Sequence, residues 1–140
     1  MTYGKIAAAS ADSITLQEYG GSSQTLPLGS GFSIVKGGSA GSSAAALAAG
    51  DRVEVKKNAD GAVVVTVNAG VAKTFWKVDA AAGQLLMRKS GVNDNDYRFA
   101  YTSSTLITAG GQPVAAESLK DGDSIVLYLF EGKLLEAAKA

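Results

Sequence analysis

Short runs of alternating apolar and polar residues, broken every few positions by glycine or a polar turn, fill this chain from end to end. Ile14-Thr15-Leu16-Gln17-Glu18-Tyr19 alternates as a strand with one buried face does. Arg52-Val53-Glu54-Val55-Lys56 and Ala62-Val63-Val64-Val65-Thr66-Val67 flank Asn58-Ala59-Asp60-Gly61, which predicts a hairpin. Gly4-Lys5-Ile6-Ala7-Ala8, Gln24-Thr25-Leu26-Pro27-Leu28 and Phe32-Ser33-Ile34-Val35 read as further strands. Pro27 has no amide hydrogen to donate to a ladder, so its strand belongs at a sheet edge. Gly37 to Ser43 reads as a loop, and Ala44-Ala45-Ala46-Leu47 as one helical turn.

The second half repeats the order. Thr74 to Val78, Gln84 to Arg88, Tyr97 to Tyr101, Thr105 to Ile107, Ile125 to Phe130 and Lys133 to Glu136 read as strands, and Val114 to Leu119 contains a helical turn. Leu134 to Lys139 has helical propensity. Strand is preferred there because its counterpart, Val63 to Val67, is β-branched, and Lys133 to Ala137, like Gln24 to Leu28, is a candidate unpaired sheet edge. The anchors of the duplication are Leu47 with Gly50-Asp51 and Leu119 with Gly122-Asp123, each set 72 residues apart. In both, the leucine leads through a short spacer into Gly-Asp, a turn pair that opens a strand. At the same offset of 72, Ile6 falls on Val78, Ile34-Val35 on Leu106-Ile107, and Gly38 on Gly110. A one-residue slip brings Ile14-Thr15-Leu16 onto Leu85-Leu86-Met87 and Leu26 and Leu28 onto Phe99 and Tyr101. The expectation is an all-β protein of two tandem, internally repeated, small and partly open β-barrels. Each has six short strands and one short helical turn; the repeats are residues 1–70 and 71–140.

Composition narrows what such a fold can do. The chain of 140 residues has 13 basic and 13 acidic side chains and a formal net charge of +0, so it lacks the positive field that nucleic-acid binding requires. It contains no cysteine and no histidine, which excludes disulfides, thiol chemistry and the usual zinc sites. No stretch approaches the roughly 18 to 20 apolar residues that span a bilayer as a helix. Met1 to Lys5 is not the basic-then-apolar start of a signal peptide. The reading is a segment of a longer exported protein, with a cytoplasmic location as the alternative.

The strand pattern resembles a family of small β-barrel repeats of unknown function from exported, cell-wall-associated proteins of Gram-positive bacteria. The residues that carry the resemblance are Gly4-Lys5-Ile6, Ile14-Thr15-Leu16, Gly37-Gly38 and Leu47 with Gly50-Asp51-Arg52-Val53. In the second copy they are Leu85 to Met87, Gly110-Gly111 and Leu119 with Gly122-Asp123-Ser124-Ile125. The chain is also similar to the non-anchoring parts of surface-layer proteins that carry S-layer-homology repeats elsewhere. The resemblance implies an extracellular, cell-wall location, a structural role and no catalytic residues.

Candidate chemistry is sparse. Asn93-Asp94-Asn95-Asp96 is the densest set of oxygen ligands, a weak calcium candidate that lacks the glycine and distal glutamate of a helix-loop-helix calcium loop. Phe75, Trp76, Tyr97 and Tyr101 concentrate aromatic surface in the second half. Because neighbours on a strand point to opposite faces, one of Phe75 and Trp76 faces outward. Gly50, Asp51, Gly122 and Asp123 have structural turn roles. No cofactor and no catalytic residue is expected. The primary functional expectation is a non-catalytic assembly or spacer module that self-associates or contacts neighbouring domains of the same surface protein. The alternative is a module that binds carbohydrate or cell-wall polysaccharide through the outward aromatics of the second repeat; an accessory domain of an enzyme is the third.

Overall fold

The computed structural model describes residues 2–19, 21–89, 91–92 and 97–139. The chain divides into two compact units, Met1–Ala69 and Gly70–Ala140. The first contains β1 (Thr2–Ala9), β2 (Ser13–Glu18), β3 (Ser23–Pro27), β4 (Ser33–Lys36), β5 (Ser39–Gly41), β6 (Arg52–Lys57) and β7 (Val63–Asn68). These form one seven-stranded sheet in the order β3-β2-β1-β6-β7-β4-β5. The second contains β8 (Val71–Asp79), β9 (Gln84–Met87), β10 (Arg98–Ala100), β11 (Leu106–Ala109), β12 (Gln112–Pro113), β13 (Ser124–Phe130) and β14 (Lys133–Lys139). Its order, β10-β9-β8-β13-β14-β11-β12, is the same strand for strand. One 3-10 turn, Ala44–Ala46 or Ala116–Ser118, precedes β6 and β13. The chain is thus all-β, a tandem pair with one helical turn per unit.

Three features differ from the sequence reading. First, each sheet has seven strands, because Gly37-Gly38 is a two-residue turn rather than part of a loop. Its φ values of 62° and 81° recur at Gly110-Gly111 as 58° and 82°, the geometry that matches the twist of a hairpin. The strands that follow, Ser39–Gly41 and Gln112–Pro113, are too short and too polar to show alternation. The turns therefore correspond at an offset of 73, and Ile34 matches Ile107 rather than Leu106. Second, Ile6 corresponds to Phe75 and not to Val78. The Ile6 amide donates to Asp51 O at 2.8 Å and the Phe75 amide to Asp123 O at 2.8 Å, while Gly50 N and Gly122 N donate to the Ile6 and Phe75 carbonyls. Third, the final strand is interior. β14 runs antiparallel to β13 and parallel to β11, as β7 does between β6 and β4. The ladders end at β3 and β5 and at β10 and β12, each of which has one hydrogen-bonded neighbour.

Each unit has its own core. Ile6, Ile14, Leu16, Ile34, Val53 and Val65 are essentially sealed from solvent in the first. Phe75, Leu85, Met87, Ile107, Ile125 and Ala137 take the matching places in the second. Ile6 to Phe75 adds volume and Val65 to Ala137 removes it, the kind of exchange that keeps a core filled.

The Gly-Asp turns are equivalent. Gly50 has φ 93° and Gly122 φ 94°. The Asp51 carboxylate accepts the Ala48 amide and the Asp123 carboxylate the Lys120 amide, both at 2.9 Å. A lysine closes each turn from outside: Lys36 Nζ lies 3.1 Å from Asp51 Oδ2, and Lys139 Nζ lies 3.2 Å from Asp123 Oδ2.

A β-carbon on Gly50 or Gly122 would meet no atom within 4 Å, so replacing either costs backbone strain alone. Gly50→Val and Gly122→Val should each lower unfolding free energy by about 1 kcal/mol or more in urea titrations. No change at either site would refute the turn's role. Among the described residues Glu131 is the one non-glycine with positive φ, at 52°, in the turn that Gly132 completes at 79°. Asparagine tolerates that geometry better, so Glu131→Asn should raise stability by roughly 0.5 kcal/mol; a loss in the same titration would count against this turn type.

Candidate functional site

The aromatic residues singled out from the sequence separate sharply. Phe75 is 1% exposed and belongs to the core, so it presents no surface to a ligand. Tyr101 packs partly against the same core, with its amide donating to Gly83 O at 3.0 Å. Trp76 is half-buried and outward. It points out because its neighbour Phe75 points in; β8 is also bulged there, the register passing from Phe75↔Met87 to Lys77↔Leu86 and leaving Trp76 without a partner. Tyr97 lies just before β10, with its carbonyl held by Met87 N at 2.7 Å.

Neither ring offers a bare platform. Lys77 Nζ lies 4.3 Å from the centre of the Trp76 ring and Arg88 Cζ 5.3 Å from it. Lys89 Nζ lies 4.4 Å from the Tyr97 ring centre and Arg98 Cζ 5.2 Å. These are cation–π distances. Arg88 also grips Asp121 through two parallel contacts, Nε to Oδ1 at 2.9 Å and Nη2 to Oδ2. Its own amide donates to Thr74 O at 2.8 Å, which fixes the strand end from which Arg88 and Lys89 project.

These contacts shift the titrating groups. A hydrogen bond from Arg98, with the charges of Arg98 and Lys89, holds the Tyr97 phenol below its ordinary range. The Arg88 hydrogen bond holds the Asp121 carboxyl low, and Asp121 in turn raises Arg88. The Lys120 amide, and after it Lys139, hold Asp123 low.

Lys77, Arg88, Lys89, Arg98 and Asp121 were not singled out from the sequence. The available signal was adjacency: Trp76-Lys77, Arg88-Lys89 and Tyr97-Arg98 each bring a cation beside an aromatic or a second cation. Glu136 gave no signal. It is fully buried, receives a hydrogen bond from Thr108 Oγ1 at 3.4 Å, and lies in register with Tyr128 and Leu106.

A groove of about 560 Å³ beside the cation cluster is lined by Lys73, Thr74, Arg88, Lys89, Ser124 and Val126, among others. Two further grooves are counterparts of each other. One, of about 520 Å³, lies between Leu26-Pro27 of β3 and Val55 and Val63; the other, of about 540 Å³, lies between Phe99 of β10 and Leu129 and Leu134.

Asn93 to Asp96, the calcium candidate, lies outside the described residues. Among the described residues no group of three or more acidic side chains is placed to hold a metal ion. No helix is long and apolar enough to cross a membrane. Asp51 and Asp123 each serve a turn in their own unit. Comparison with known proteins gives no match: no family model, no curated protein and no solved structure is similar enough to this chain to be matched.

Folded-state depression of Asp121 and Asp123 below their ordinary value of 3.8 has a definite sign. Each contributes stability that is present above that value and is lost as pH falls through the lower, folded one. The melting temperature should therefore hold down to about pH 4 and fall below it. Asp123→Asn keeps an oxygen for the Lys120 amide but removes the charge facing Lys139, so it should flatten part of that acid limb. Superimposable limbs for the two proteins would remove Asp123 from the account.

Proposed function

We propose that this chain is a non-catalytic structural module that assembles or spaces proteins in an array at a bacterial cell surface. The observation that carries the reading is the duplicated seven-stranded sheet, whose end strands each have one hydrogen-bonded neighbour among the described residues. Edge strands are templates for pairing with another chain. β3 is the longest of the four edges. The Leu28 amide donates inward to Asp12 O at 2.9 Å, so by the alternation of a strand the Thr25 and Ser23 amides point away from β2. The absence of histidine and cysteine supports a non-catalytic role. The surface setting rests on the resemblance of the Leu-to-Gly-Asp pattern to exported repeats.

Sedimentation over a range of concentrations tests assembly. The mass of the purified chain should rise with concentration. Thr25→Pro removes an outward amide without touching the β2 ladder, so it should hold the chain monomeric with an unchanged circular dichroism spectrum. A monomer at every concentration into the millimolar range would overturn the reading.

A second reading, that the second unit binds carbohydrate or a cell-wall polymer, is favoured by Trp76, which lies outside the core with Lys77 and Arg88 against its ring, and by Tyr97, which packs partly on the core and has Lys89 and Arg98 against its ring.

A further inference from the structure

We infer that the second unit binds an acidic polysaccharide across two cation–ring groups, Lys77 and Arg88 against Trp76 and Lys89 and Arg98 against Tyr97, which the adjacent residues Arg88 and Lys89 link. That the ligand is a glycan rests on the second reading above; that it is acidic does not.

The duplication provides an internal control. Hydrogen bonds and register set the correspondence at each position. Where the second unit has Trp76, Lys77, Arg88, Lys89, Tyr97 and Arg98, the first has Ala7, Ala8, Gln17, Glu18, Gln24 and Thr25. The same backbone therefore forms without either ring and without any of the four cations. In the second unit Asp121 holds Arg88 and Gln84 accepts from Arg98, and cations remain against both rings; in the first unit the matching surface carries neutral and acidic groups bonded to one another. Gln24 Nε2 donates to Glu18, Gln17 Nε2 to Gly21 O at 2.9 Å, and Ser23 Oγ to Gln17 Oε1 at 2.7 Å. The fold does not need what the second unit has placed there, which points to a ligand.

The arrangement also indicates the kind of ligand. A neutral sugar stacks on an open aromatic face, and here cations lie over both rings. The rings instead restrain long side chains that would otherwise sample many rotamers, so less order is lost when those side chains meet an anion. Guanidinium groups match carboxylate and phosphate geometry, and Asp121 already holds Arg88 in that way, so an incoming anion exchanges with Asp121 there and meets Lys77, Lys89 and Arg98 on the rings. Lys73 extends the positive lining along the groove, and Thr74 and Ser124, opposite each other on β8 and β13, bring hydroxyls suited to a polyhydroxylated chain. The unit's acidic and basic residues balance, so attraction is local to these cations; that serves a nucleic acid, which relies on a broad positive field, less well than a chain whose hydroxyls also bind.

The test uses the full chain in isothermal titration with three probes: polygalacturonate oligomers, neutral dextran and oligo-deoxythymidylate. Trp76 is the chain's one tryptophan, so its fluorescence reports on the site directly. Polygalacturonate should bind saturably, shift that emission and weaken with salt, whereas dextran should not bind. Arg88→Gln with Lys89→Glu installs the residues the first unit uses and should weaken binding by about tenfold or more, in line with the loss of close charge contacts. Lys77→Ala with Arg98→Thr is a second pair of the same origin, used if the first lowers the melting temperature. Lys57→Gln, in the first unit, should bind as wild type does. Equal binding of dextran would leave the carbohydrate reading standing and overturn the acidic specificity. Tighter binding of the oligonucleotide, no binding of polygalacturonate, or wild-type affinity in both folded double variants would each overturn the site.

Discussion

Each unit depends on one junction, where its first strand meets the Gly-Asp turn. In the order β3-β2-β1-β6-β7-β4-β5, the contact of β1 with β6 joins three strands to four, and β8 with β13 does the same in the second unit. The ladder there is short, from Thr2↔Val55 to Lys5↔Arg52 and from Val71↔Leu127 to Thr74↔Ser124. It is extended by the turn, whose backbone takes both hydrogen bonds of Ile6 or Phe75. Immediately beyond, each strand bulges, at Ala7 or Trp76, and continues with β2 or β9 alone. A positive-φ glycine and a carboxylate that caps its own turn hold the backbone in the one shape that can make these bonds. The bulge that follows breaks the alternation just past the turn and leaves Ala7 or Trp76 without a cross-strand partner.

Sequence made the turn in that junction legible because it is local, though not the strand that meets it. A leucine, a spacer and Gly-Asp lie within a few residues, and their chemistry is in the residue types themselves. The β6–β7 and β13–β14 hairpins were legible for the same reason. What could not be read was non-local or weakly patterned. β5 and β12 are too short to alternate, so their hairpins merged into loops, and the parallel placement of β4 on β7 leaves no local trace. The register of the first strands was misread because Ile6 and Val78 are both apolar, and only the partner of each amide shows that Phe75 is the match. The outward placement of Trp76 followed from alternation once one neighbour faced in. The cations over its ring did not, because Arg88 arrives from a different strand.

The two lysines that close the turns show what the duplication holds constant. Lys36 stands at the end of β4 and Lys139 at the end of β14, neighbouring strands in the shared order, and neither is the other's counterpart. The ammonium position persists while the strand that supplies it changes. The cluster around Trp76 and Tyr97 shows the opposite case, a surface whose backbone persists and whose chemistry exists in one unit alone. Together they distinguish what the fold requires from what it tolerates.

The parallel pairing has a further consequence, for the order in which the chain assembles. Ser33 must find Val64, and Leu106 must find Glu136, across a long intervening segment, while every hairpin closes over a few residues. Contacts of that separation form late. The β4–β5 and β11–β12 hairpins are thus the last pieces to settle, at a time when two similar berths exist in one molecule. The berths do not select by fit, since each hairpin brings an isoleucine, Ile34 to Val65 and Ile107 to Ala137. What selects is reach: each hairpin is tied by a short connection to the strand that follows it, Gly41 to Arg52 and Pro113 to Ser124, so closure within its own unit costs less entropy than closure in the other. That tether guards the nascent chain against exchanging its own parts.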